Sequence, residues 1–168
     1  MELKKLFQKA EKSRFQRWKL NFLLQLYIPF NRPHGLKISE LSKEMVRVKI
    51  PYKRKNFNHI KGLHACVLAT AAEFSSGILL SYKLGVKHYR IIMKSLEVDY
   101  FYQGKTPAFA TFKLSDHEFE STILEPLKKD GVVFVNCEIH CHDQDGNHLC
   151  TAKTNWQIKS WEKVQTKT

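Results

Sequence analysis

The sequence predicts an α+β domain in which an antiparallel sheet wraps around one long buried helix, and three observations carry this expectation. From Leu63 to Tyr82 the chain is apolar nearly all round, without proline and with glycine only at Gly77; Glu73 is the single formal charge between Lys61 and Lys83. A helix that lacks a polar face must be enclosed. Runs of alternating apolar and polar residues flank it on both sides, as half-buried strands do. The 168 residues, 43% hydrophobic and 26% charged, suit one domain with a single core rather than a disordered chain. A membrane span is the poorer reading, because a carboxylate at mid-bilayer costs about 2.5 kcal/mol or more.

The first strand is read at Val46, Val48 and Ile50, separated by Arg47 and Lys49 and ended by Pro51. Lys53-Arg54-Lys55 then opens a polar loop leading to Gly62 and the helix. Beyond the helix, Leu96, Val98, Tyr100 and Tyr102 alternate with Glu97, Asp99 and Phe101, and Gly104 with Pro107 turns the chain into Ala108, Ala110, Phe112 and Leu114. Ser115 and Glu118 stand at capping-box spacing and Gly131 sits where a helix stops, so Asp116 to Lys129 is expected as a short surface helix. Val132 to His142 and His148 to Trp161 form a hairpin about a two-residue turn at Asp145-Gly146. That turn sets Cys141 opposite Cys150, Ile139 opposite Ala152, Val135 opposite Trp156 and Glu138 opposite Lys153, which leaves one face apolar and the other charged.

Residues 1–34 are expected as a basic amphipathic helical segment and residues 35–168 as the main domain. Leu3, Leu6, Phe7 and Ala10 recur at helical spacing opposite Lys4, Lys5, Lys9 and Lys12, and Pro29 and Pro33 close the segment. This helix either packs on its own domain or docks on a membrane surface through its Lys and Arg face. Lys19, Asn21 and Gln25 interrupt its greasiest part and no small-residue cleavage site follows, so it is not read as a secretion signal.

Lys and Arg number 28 against 16 Asp and Glu, a formal net charge of +12, which implies an anionic partner: a phosphate-bearing ligand, nucleic acid or a membrane. No helix-turn-helix, zinc-finger or RNA-recognition pattern supports specific nucleic-acid binding. Phosphate-loop, dinucleotide and serine-elbow motifs are also missing. Cys66, Cys137, Cys141 and Cys150 follow no secreted framework and are read as reduced thiols of a cytoplasmic protein. Strand alternation puts Cys137 and Cys141 on the face opposite His140 and His142, so no metal site is expected. The start of the long helix near Gly62 to Ala65 offers free amides and a positive dipole end suited to an oxyanion. Glu73 lies two and a half turns on, in apolar surroundings that raise a carboxyl pKa and make it a base. Nine residues at about 100° each set His64 and Glu73 on opposite sides of the helix, so one chain does not bring both to one substrate.

Asn58 to Glu73 reads Asn-His-Ile-Lys-Gly-Leu-His-Ala-Cys-Val-Leu-Ala-Thr-Ala-Ala-Glu. This resembles the Asn, Gly, His-Gly-Gly and acidic-residue motif of the phenylacetyl-CoA thioesterase-like branch of the hotdog-fold acyl-CoA thioesterase superfamily, with Asn58, His64 and Glu73 at its spacing. Tyr27 to Leu80 is similar to an uncharacterised bacterial branch of hotdog proteins that carries an extra N-terminal helix. The sequence departs from the motif where the glycine falls at Lys61, one place before Gly62, and where Ala65 and Cys66 replace the double glycine. The resemblance implies a hydrolase of acyl or aryl thioesters without a cofactor, working as a homodimer or dimer of dimers. Glu73 of one chain then meets Asn58 and the helix start of the other. It activates water or attacks directly, Asn58 orients the water or thioester, His64 belongs to the same motif, and the Gly62 and Ala65 amides polarise the carbonyl. Lys53, Arg54, Lys55 and Lys61 are candidates for the phosphates of CoA; Tyr89, Tyr100, Phe101, Tyr102 and Phe109 are candidates for an acyl pocket or for core. The alternative is a hotdog protein that binds acyl-CoA or lipid without turning it over.

Overall fold

The structure, a computed structural model, describes residues 3–164; residues 1–2 and 165–168, the ends of the two expected segments, and the Leu3 side chain lie outside the described part. The N-terminal segment is two helices rather than one, α1 (Leu3–Lys12) and α2 (Arg14–Tyr27). Ser13 separates them because its backbone is extended (φ −139°) and its hydroxyl accepts from the Gln16 amide, starting α2 afresh. The apolar face of α1 is turned inward: Phe7 and Ala10 are fully buried, and the Phe7 ring stacks on Tyr82 at 5.0 Å. α1 thus packs on its own domain, as one of the two expectations for the segment has it. Leu20 and Leu24 are buried from α2, and the Asn21 amide pins that helix by bonding both the carbonyl (3.0 Å) and the amide (2.7 Å) of Ile38.

Six strands follow in one antiparallel sheet: β1 (Lys37–Leu41), β2 (Met45–Ile50), β3 (Tyr89–Tyr100), β4 (Ala108–Lys113), β5 (Val132–Asp143) and β6 (His148–Ser160), in the spatial order β1-β2-β4-β5-β6-β3. The long helix α3 (Ala65–Leu84) lies across the inner face and touches β2, β3, β4, β5 and β6. By length and composition alone α3 resembles a membrane span, but most of it is buried within the domain. The inner row of β2 is Val46, Val48 and Ile50; that of β6 is Cys150, Ala152, Thr154, Trp156 and Ile158, and every one of these is buried. Small residues, Ala108 and Ala110 on the sheet with Ala71 and Ala72 on the helix, are fully buried between them, as close helix-to-sheet packing at interior density requires.

The hairpin register matches expectation at Cys141–Cys150, Ile139–Ala152, Val135–Trp156 and Glu138–Lys153. Its turn does not. The register slips between Cys141 and His142, so that His142 pairs with His148, and the loop is three residues, Gln144 to Gly146. Asp143 is the reason: its carboxylate accepts from the Asp145 and Asn147 amides and from the Asn147 side chain, while Gly146 takes φ +88°. The helix expected over Asp116 to Lys129 is present but interrupted, as α4 (Asp116–Phe119), a π-turn (Glu120–Leu124) and α5 (Glu125–Asp130). Pro126 lacks the amide that a regular α-helix needs there, which favours a local change of ladder. Strand β1 and the first half of β3 were not read from the sequence.

Candidate functional site

Glu73 sits in the middle of α3 and lines a recess of about 200 Å³ together with Phe74, Ile78, Ile91 and Trp156. Its carboxyl has no hydrogen-bond or ion-pair partner among the described residues. Burial pushes its pKa above the ordinary value, with no neighbouring cation to pull it back. A carboxylate withdrawn from water without a partner is costly. One turn further on, Gly77 makes room: a Cβ there would lie 3.1 Å from the Trp156 ring. Trp156 closes the recess in a fixed pose because its indole N–H donates to the hydroxyls of Ser76 (3.1 Å) and Thr154 (3.0 Å). A larger apolar cleft of about 380 Å³, lined by Leu20, Leu23 and Leu24 of α2, shares Ile28, Ile78 and Ser81 with the Glu73 recess.

At the other end of the site, Asn58 organises the loop before α3. Its side-chain carbonyl accepts from the Ile60 amide (3.1 Å) and the Gly62 amide (2.9 Å). The Gly62 amide is therefore already engaged, and Gly62 itself is buried. Lys61 takes φ +61°, the left-handed conformation glycine accepts most readily, at the position where the resembling motif carries glycine. His64 caps α3, its Nδ1 accepting from the Cys66 amide at 3.1 Å, and Val67 and Leu68 bond back to the His64 carbonyl. This leaves the exposed Ala65 amide, at the positive end of a 20-residue helix, without a partner among the described residues.

Asn58, His64, Gly62, Ala65 and Lys61 thus lie together at the start of α3, while Glu73 is a further ~13 Å along the helix axis at 1.5 Å per residue. One chain separates the two groups. Arg54, Lys55 and Lys61 are exposed on the same loop region, and Lys53 is half-buried, its pKa lowered by burial and by Lys55 and Lys37. The aromatic candidates lie elsewhere: Tyr100, Phe101 and Tyr102 are exposed, Tyr89 and Phe109 only half-buried, and none lines the Glu73 recess. Phe109 lies on the outer face between the inward Ala108 and Ala110, Phe101 and Tyr102 follow the end of β3, and Tyr100 shares the inner face with Cys150 at the open end of the sheet. Tyr100 instead donates its hydroxyl to the Ala65 carbonyl at 2.9 Å, with its pKa pushed up to about 12 by burial and the nearby thiols. Cys137, Cys141 and Cys150 are buried and His140 and His142 exposed on the opposite face, where their rings cluster with that of His148 at 4.8–6.5 Å; among the described residues no group of three His, Cys, Asp or Glu is arranged to hold a metal ion.

Sequence reasoning missed Trp156 as a wall of the recess, having placed it in the strand only as an apolar partner of Val135. It also missed Asn56, which is almost fully buried, donates to the His34 and Pro51 carbonyls and fixes the loop ahead of Asn58.

A six-stranded antiparallel sheet wrapped about one long helix defines a hotdog-fold protein. Solved structures of that class superpose on it. A Pseudomonas aeruginosa protein of unknown function, described as a "Probable Thioesterase", matches with a TM-score of 0.77 at 21% identity, covering 83% of this chain and 93% of that one. A protein of unknown function from Chlorobaculum tepidum matches at 0.74 and 14% identity, covering 89% and 98%. A thioesterase from Haemophilus influenzae matches at 0.69 and 12%, covering 89% and 94%. The chain belongs to the family described as "Domain of unknown function (DUF4442)", whose profile matches residues 16–158. No curated protein matches the sequence.

Proposed function

We propose that this protein hydrolyses acyl thioesters, with Glu73 as the general base. The observation that carries the reading is the half-buried Glu73 carboxyl, unpartnered among the described residues and facing a largely apolar recess, a costly arrangement that general-base chemistry uses. Glu73 takes a proton from water, and the water oxygen bonds to the thioester carbon. The carbonyl electrons move onto oxygen, where the Ala65 amide and the α3 dipole stabilise the charge. The carbonyl re-forms as the C–S bond breaks, and the proton held by Glu73 passes to the departing thiolate, giving a free acid and a free thiol.

Because Glu73 and Ala65 are far apart on one chain, the working site is composite: Glu73 of one copy facing the helix start of a second. The free edge of β3, twelve residues long, is the natural pairing surface, since an uncovered edge strand presents a row of unpaired backbone groups. A homodimer is the minimal unit. The cleft between α2 and α3 that joins the Glu73 recess is the proposed seat of an apolar acyl chain, and Arg54, Lys55 and Lys61 beside the helix start are the proposed contacts for the phosphates of CoA.

Release of thiol from a panel of short, aryl and long acyl-CoAs, by the parent and by Glu73→Ala, tests the reading. Turnover is expected in the parent and is expected to fall about 10³-fold in the variant. An inactive parent that acyl-CoA still stabilises against melting would leave a binding protein in place of an enzyme.

A further inference from the structure

The N-terminal segment carries a second apolar face that the domain leaves bare. Phe15, Trp18, Phe22 and Leu26 recur at helical spacing on α2, diametrically opposite the buried Leu20 and Leu24, and they are 59%, 60%, 54% and 54% exposed. Phe15, Trp18 and Phe22 stack in sequence, with ring centroids 6.0 and 6.2 Å apart. The Asn21 bonds to Ile38 fix the rotation of the helix, so this face does not roll inward. Its surroundings are cationic. From Lys12 to Ser39 the chain has six Lys and Arg and no Asp or Glu, and Arg14, Arg17 and Lys37 converge on a recess of about 250 Å³ beside Trp18 and Phe22.

We infer that α2 docks this protein on an anionic phospholipid surface. Trp18, Phe15, Phe22 and Leu26 enter the interface, where Trp and Phe settle most favourably, and Arg14, Arg17 and Lys37 meet the headgroup phosphates. Charge complementarity selects this occupant over a second copy of the chain, which would bring two cation-rimmed faces together. The sequence suggested membrane contact of the N-terminal segment through its Lys and Arg face; α1 is spent on the core, and α2 presents the apolar face. The inference does not depend on thioester chemistry.

The test is co-sedimentation of the full chain with vesicles of phosphatidylcholine alone and of phosphatidylcholine with phosphatidylglycerol, each at low and high salt. Binding is expected to the anionic vesicles, weakening with salt, and to fall at least about tenfold in Trp18→Ser/Phe22→Ser and comparably in Arg14→Glu/Arg17→Glu, with melting temperatures unchanged. A parent that stays in the supernatant with both vesicle types, or variants that pellet as the parent does, would overturn it. So would loss of self-association in Trp18→Ser/Phe22→Ser without lipid, which would assign the face to a second copy.

Discussion

The two ends of the site on α3 are built by opposite means. Its start is polar and open: Asn58 and His64 spend their side chains on backbone amides, leaving the Ala65 amide outward. Its middle is mostly apolar, with the half-buried Glu73 lining a recess beside Ile78 and Trp156 and no partner for its carboxyl among the described residues. A developing oxyanion needs a fixed donor, which loop hydrogen bonds provide; a base needs a raised pKa, which dry surroundings provide. A rigid helix keeps the two groups apart within a chain. In the proposed dimer, pairing two chains brings them together.

The largest effect that breaks this comparison is at the middle: Glu73→Ala is expected to reduce turnover about 10³-fold, read as thiol release under saturating substrate. At the start, Ala65→Pro removes the outward amide without disturbing the fold. Proline suits the first turn of a helix, and His64, at φ −67° and ψ 139°, already has the conformation that precedes it. A fall in kcat of about 10²-fold is expected, with the melting temperature close to the parent's.

A pH series sharpens the same contrast. Burial raises the Glu73 pKa above 4.5, so the acid limb of the rate profile is expected above the ordinary carboxylate range. Stability runs the other way. The folded chain holds this proton more tightly than the unfolded one, so the stability contributed by neutral Glu73 is full below the ordinary pKa and is lost as pH rises through the raised value. Glu73→Gln, which stays neutral, is therefore expected to melt above the parent at pH 7, with the gap closing as the pH falls into the ordinary carboxylate range. The smallest effect is on the wall: Trp156→Phe leaves the Ser76 and Thr154 hydroxyls short of a donor and is expected to cost about 1–2 kcal/mol in denaturant unfolding.

Much of this was legible because it rests on period and local chemistry. An apolar run with a single charge gave α3 and Glu73, and strict alternation gave the hairpin register as far as Cys141–Cys150. What escaped rests on contacts between distant segments or on one side chain overruling a local rule. Asp143 bonding three groups of its own loop displaced the two-residue turn; Ser13 split a helix whose apolar spacing gave no warning. Trp156 reads as one more core position until Gly77, far away in sequence, is seen to make space for its ring. The outward stripe of α2 was not read from the sequence: Phe15, Trp18, Phe22 and Leu26 stand at helical spacing, but which way such a stripe points is settled only by Asn21 bonding to Ile38.

The most direct test of a site shared between two chains is to mix Glu73→Ala with Ala65→Pro, allow subunits to exchange, and measure thiol release. If Glu73 of one copy works with the Ala65 amide of the other, each hybrid dimer has one undamaged site, and random pairing restores about a quarter of the parental activity. If activity stays at the level of the separate variants while exchange is demonstrably complete, the site lies within a single chain and the account is wrong.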